Sequence, residues 1–195
     1  MVLARMRLRR AALRLAARGW PVTPGACLRA NRFDCGRIGC RTTGCHPAVE
    51  TWQQVATRDR QRINRWWRDS PHSVLLPTGV SFDALDIPAP LAALVIRSGR
   101  WTGPLRGPVA TIPTGRWLFL VQPGEPLLPE LAGRWDVVLH GRGSWMPAPP
   151  TRLPEGAVRW SVSPTESGGR LPDSIAVQRL LAETLMTAPR SEQVA

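Results

Sequence analysis

The sequence contains no lysine and no tyrosine, so all 26 of its basic residues are arginine. A chain-wide absence of lysine reads as a compositional bias toward GC-rich codons, and it assigns no role to any single arginine. Acidic residues are scarce, 14 against 26 basic, which leaves a formal net charge of +12. That excess favours polyanions through long-range attraction and counterion release, and nucleic acid is the expected partner. No apolar run approaches the ~20 residues that a membrane helix needs, so no membrane association is expected and the composition predicts a soluble, cytoplasmic globular protein. Internal repeats and low-complexity tracts are also missing, which excludes solenoids and long disordered linkers.

What is present points to short elements. Pro occurs 20 times and Gly 17 times along 195 residues, a density that demands frequent turns. The opening segment carries Arg5, Arg7, Arg9, Arg10, Arg14 and Arg18 and no acid. Such a start suits a transit or secretory signal, but Arg14 and Arg18 interrupt any apolar signal core. Leu8, Ala11, Ala12, Leu15 and Ala16 instead recur at helical spacing, with Arg7, Arg10, Arg14 and Arg18 on the other side. Gly19 and Pro21 end this amphipathic helix. A second helix is predicted from Thr57 as cap, burying Ile63, Trp66 and Trp67. From His72 onward the pattern shortens to strand-like runs at 72–79, 80–87, 107–114, 116–123, 134–141 and 157–164, with a helix over 88–99. A final helix starts at Asp173 or Ser174 and buries Val177, Leu180, Leu181 and Leu185. The predicted class is α+β: a mostly antiparallel sheet flanked by helices, in a single domain over 1–187, with a frayed tail over 188–195.

All four cysteines, Cys27, Cys35, Cys40 and Cys45, lie in one short stretch with His46 directly after the last. Without an export signal, clustered Cys beside His reads as a metal site rather than a disulfide framework, and a zinc loop is expected over 27–47. Zinc takes four N/S donors, and five compete here. Cys35, Cys40 and His46 are the leading ligands, Cys27 the next, and Cys45 the spare.

The order of local motifs resembles a known family. AARGWPV (16–22), CGRIGCRTTGCHP (35–47), RINRWW (62–67), LPTG (76–79), ALDI (84–87), TGRWLF (114–119) and HGRGSWMPAPP (140–150) follow one another as in the N-terminal domain of bifunctional DNA primase/polymerases, within the archaeo-eukaryotic primase superfamily. Each motif is weak alone; their shared order over nearly the whole chain carries the resemblance. It implies a primase-like fold with a Cys/His zinc insertion. In that insertion Cys45 stands where the family usually has Lys, which supports it as the spare and Cys27 as a displaced fourth ligand. Such domains are normally fused to a helicase; a helicase or other replication protein is therefore expected as a separate partner.

The resemblance also implies two-metal nucleotidyl transfer, in which paired carboxylates hold Mg²⁺ or Mn²⁺ and a His contacts the incoming nucleotide. Asp86 matches the first carboxylate, but its partner position is Pro88, the histidine position is Trp117, and the third acid maps to Val138, with Asp136 two residues earlier. Asp83 lies three residues from Asp86 and therefore on the opposite strand face. A lone carboxylate holds a hard divalent cation poorly. Three readings follow: a catalytically silent protein that binds nucleic acid or nucleotide through arginines including Arg7, Arg10, Arg14 and Arg116; an active enzyme with a rearranged acid set of Asp83, Asp86 and Asp136; and a regulatory module whose zinc loop docks a protein.

Overall fold

In the computed structural model, which describes residues 2–187, the basic opening segment is a helix, α1 (Val2–Ala17). Ala12, Leu15 and Ala16 are buried, whereas Arg7, Arg10 and Arg14 are exposed, as the periodicity requires. Gly19 adopts φ 90°, and the amides of Gly19 and Trp20 donate to the carbonyls of Ala16 and Leu15. These two bonds satisfy carbonyls at the helix end and turn the chain. The expected tail from residue 188 lies outside the described residues.

The chain divides into two compact units. The first holds residues up to 77 together with 143–159. After α1 come β1 (Thr23–Gly25), a hairpin of β2 (Cys27–Arg29) and β3 (Arg32–Asp34), the short α2 (Trp52–Val55), α3 (Arg60–Trp66) and β4 (Ser73–Pro77). β9 (Trp145–Pro147) joins the opposite edge of β4, making an antiparallel sheet of order β1-β4-β9. A small hairpin of β10 (Arg152–Leu153) and β11 (Gly156–Ala157) follows. The predicted cap at Thr57 is corrected: Thr57 exchanges backbone hydrogen bonds with Val22, and Asp59 caps α3 by accepting from the Arg62 amide at 2.6 Å. Ile63 and Trp67 are fully buried, and the Trp67 indole donates to the His72 carbonyl at 2.7 Å. Trp66 is only half-buried, with the Arg62 guanidinium 5.2 Å from its ring centroid.

The second unit, Thr78–Arg142 and residues from Trp160 onward, contains β5 (Asp83–Pro88), α4 (Ala89–Arg97), β6 (Val109–Ile112), β7 (Arg116–Val121), the short α5 (Pro129–Ala132), β8 (Val138–His140), β12 (Arg159–Val162, entering this unit at Trp160) and α6 (Ser174–Thr187). Its sheet has the order β12-β6-β7-β5-β8, with β7 and β8 both antiparallel to β5. Leu85, Ile87, Phe119 and Val121 pack with Leu91 and Val95 of α4 and Leu180 and Leu181 of α6 to form the core. Burying side chains of this size contributes roughly 1.5–3 kcal/mol each, so this layer pins which face of β5 looks inward. The fold is thus α+β with mostly antiparallel sheet, as the sequence predicts.

Gly79, in the LPTG turn, is where this unit depends on glycine. Its φ is 86°, and an added Cβ would stand 2.2 Å from the backbone of Arg142. The neighbouring Thr78 hydroxyl donates to the Gly141 carbonyl at 2.6 Å, locking the turn against the segment after β8. Gly79→Ala combines left-handed strain with a clash against backbone that cannot swing away. We expect a loss of about 3 kcal/mol, read as a fall of about 9 °C in Tm. A melting point unchanged from the parent would contradict the close approach.

Candidate functional site

The Cys/His loop is built between two anchors. At its start Asp34 accepts the Gly36 amide at 2.8 Å, and at its end the Ala26 amide donates to the His46 carbonyl at 2.8 Å while Ala48 donates to Pro24 at 2.9 Å. Between them Cys35, Cys40 and His46 converge, their ligand atoms all within 4.8 Å of one another. Cys40 Sγ lies 3.4 Å from His46 Nε2. The other ring nitrogen, Nδ1, donates to the Gly44 carbonyl at 2.7 Å, which orients the ring with Nε2 toward the two sulfurs. Burial would raise the Cys35 thiol, but hydrogen bonds from Arg37, His46 and Cys40 outweigh it and lower its pKa to about 6. Two cysteine sulfurs and an imidazole form a soft to borderline donor set that fits a metal ion, with one tetrahedral position not filled by this group.

The structure brings neither Cys27 nor Cys45 into this cluster. The expected fourth ligand, Cys27, is buried, with its sulfur 3.5 Å from His72 Nδ1. In the hairpin register its cross-strand partner is Asp34, not Cys35, so the two cysteines are not paired. Cys45 forms a hydrogen bond with Ser73, and burial pushes its thiol up to about 11. His72 was not singled out by spacing, because the chain that separates it from Cys27 hides their proximity.

The acidic face of the second unit has a different character. On β5, Asp86 stands directly opposite Leu118 of β7 and Val138 of β8. Position 138 is therefore well placed for a second acid, and it holds valine. The Asp86 carboxylate is held by two cationic or ionisable groups: Arg116 Nε donates to Oδ1 at 2.8 Å, and His140 Nε2 lies 3.2 Å from Oδ2. Arg116 also donates through Nη2 to the Asp86 carbonyl at 3.0 Å and to the Asp136 carbonyl at 2.8 Å. Arg116, expected to contact nucleic acid, is thus engaged inside the protein. His140 was missed as a candidate; its place two residues after Val138, the mapped acid position, was the available signal, since that spacing returns it to the Asp86 face.

The remaining candidates do not join Asp86. Asp136 precedes β8, and Arg134 clamps both its carboxylate oxygens, at 2.9 and 2.7 Å. Asp83 is buried, pairs across from Val121, and accepts the Gly124 amide at 2.9 Å. Alternation along β5 puts it on the core face, opposite Asp86. Trp117, at the mapped histidine position, pairs with Ile87 and packs against the same core. Among the described residues, the only group of three or more potential metal donors is Cys35, Cys40 and His46. The acids present do not fit a pair of Mg²⁺ or Mn²⁺ ions, because each carboxylate already has an internal partner and no two share a site.

Of the exposed arginines, Arg7, Arg10 and Arg14 project from α1. No helix among the described residues is long and apolar enough to cross a membrane. A family model described as Prim-Pol, bifunctional DNA primase/polymerase, N-terminal, matches residues 12–174. No match is found among curated proteins.

Proposed function

Because the chain belongs to the bifunctional DNA primase/polymerase N-terminal family, and so is primase/polymerase-like, we propose that it is a catalytically silent member that binds nucleic acid and carries a structural zinc ion. Membership implies dealings with nucleic acid or nucleotide and a setting in DNA replication. One observation carries the silent reading: the Asp86 carboxylate is paired with Arg116, has His140 beside it, and faces Leu118 and Val138 instead of a second acid. A guanidinium in that place holds the carboxylate by charge-assisted hydrogen bonds and competes with any divalent cation. The cluster of Cys35, Cys40 and His46 would hold zinc, which orders the loop around it and takes no part in transfer chemistry.

Binding is carried by exposed arginine rather than by the acidic face. Arg7, Arg10 and Arg14 are free of acidic neighbours on their own helix, and Arg116 leaves the set because it is engaged with Asp86. The test is fluorescence anisotropy with labelled single-stranded DNA over a range of salt. Micromolar, sequence-tolerant affinity is expected, with log affinity falling linearly against log salt by roughly 0.7 per phosphate contacted. An absence of binding at low salt would remove the nucleic-acid reading and leave the zinc loop as a protein-docking surface.

A further inference from the structure

The turn that gathers the candidate metal ligands also makes a pair of Cys35 and Cys40. All four cysteines are free thiols in this structure. Of the four, Cys35 and Cys40 are the two in the cluster with His46, and their sulfurs lie within 4.8 Å of each other. Both residues are half-buried, so a small solute reaches them. Cys27 is buried beside His72, and Cys45 is hydrogen-bonded to Ser73. The Cys40 amide donates to the Arg37 carbonyl at 3.3 Å, a turn that folds the chain back between the two sulfurs. Gly36 and Gly39, on either side of Arg37, each have φ of 76° and nothing within 4 Å of where a Cβ would stand. A disulfide needs its sulfurs about 2.05 Å apart, so the pair has to close by no more than about 3 Å, and glycine torsions with open space around them allow it. The Arg37 guanidinium stands 3.8 Å from Cys40 Sγ, an electropositive neighbour of the kind found beside reactive rather than inert thiols.

We propose that hydrogen peroxide closes Cys35 and Cys40 into a reversible disulfide, and that the closure releases the metal held by the loop. One sulfur attacks a peroxide oxygen: an S–O bond forms, the O–O bond breaks, and hydroxide leaves and takes up a proton as water. The second sulfur then attacks the sulfenic sulfur: the S–S bond forms, the S–O bond breaks, and the other oxygen leaves as water. The two thiols lose two electrons and the peroxide gains them. Where a metal holds both sulfurs as thiolates, solvent supplies the two protons. A disulfide offers no thiolate, so His46 alone is left of the donor set, and one imidazole does not retain zinc. Asp34 and the His46 carbonyl anchor the two ends of the loop, which confines the change to 35–46. The release rests on the zinc reading above; the pairing rests on the sulfur geometry alone.

The intact protein, zinc-loaded and after chelation, is treated with hydrogen peroxide, alkylated and digested with trypsin. Cleavage after Arg32, Arg37 and Arg41 puts Cys35 on the 33–37 peptide, Cys40 on 38–41 and Cys45 on a third. The expected product is 33–37 joined to 38–41, lost on adding dithiothreitol, with zinc captured by a colorimetric chelator in step with its formation. Cys35 and Cys40 should lose alkylation at least about tenfold faster than Cys27, since exposure governs thiol oxidation. Cys27→Ser and Cys45→Ser should form the same link. Cys40→Ser should form none and should give a dimedone adduct on 33–37 instead. The parent protein supplies the decisive digest, so a variant that folds poorly does not remove the test. A link from Cys35 to Cys27 or to Cys45, or oxidation with no 33–37 to 38–41 link, would overturn the pair. A link that forms while zinc stays bound would overturn the release. Protein purified without zinc that still forms the link would remove the zinc reading, and the release with it, and uphold the pair.

Discussion

Labelled nucleotides should not be incorporated by this protein on a single-stranded or a primed template, with either Mg²⁺ or Mn²⁺. Metal-aligned transfer draws several kcal/mol of transition-state stabilisation from the ions, and each 1.4 kcal/mol is a factor of ten. Removing them therefore lowers the rate by about three orders of magnitude or more. Here Asp86 meets Arg116 at 2.8 Å and His140 at 3.2 Å, and Asp136 is clamped by Arg134. To bind a cation, these carboxylates must first give up charge-assisted hydrogen bonds, and only one of them lies on the face that the family's chemistry uses. Asp86→Ala should accordingly leave the null activity unchanged, while loosening the contacts of Arg116. Template-directed product that vanishes in both Asp86→Ala and Asp136→Ala would show that the acids have been rearranged into a working site, and the active-enzyme reading would replace the silent one.

The second large effect is expected at the metal cluster. Purified protein should carry one zinc per chain, and His46→Ala should abolish that stoichiometry. Removing a ligand from a three-residue donor set leaves two thiolates, and structural zinc contributes on the order of 10 kcal/mol of apparent binding free energy at neutral pH in small domains. The loop between Asp34 and Pro47 contains three glycines, Gly36, Gly39 and Gly44, so a bound metal would be its main ordering element. Faster amide exchange across 35–46 should accompany the loss of zinc. Cys27→Ser should retain the metal, because the Cys27 sulfur is turned to His72 rather than to the cluster. Elemental analysis after metal-replete expression decides both points: sub-stoichiometric zinc in the parent would sink the zinc assignment, and metal loss in Cys27→Ser would restore Cys27 as the fourth ligand.

Several features were legible from local pattern because their causes are local. The α1 stripe, the strand runs around β5 and β7 and the stop at Gly19 follow from periodicity and backbone preference, which adjacent residues determine. Asp83 and Asp86 fall on opposite faces of β5 because three steps along a strand reverse the side chain's direction. The convergence of Cys35, Cys40 and His46 was equally readable, since short loops keep neighbouring donors close. The cap of α3 was misread because Val22, far away in sequence, claims the backbone of Thr57.

What the tertiary structure alone decided is which partner each polar group takes. Arg116 looked like a surface cation until antiparallel pairing of β5 with β7 carried it to Asp86, thirty positions away. β8, added to the other edge of β5, carries His140 to Asp86, fifty-four positions away. Cys27 stands outside the cluster of Cys35, Cys40 and His46 because the hairpin register and His72 set its surroundings. Composition determined that this protein would be strongly cationic, and periodicity determined its elements; only the fold determined which charges are neutralised internally and which remain for a partner, because ion pairing acts through space and not along the chain.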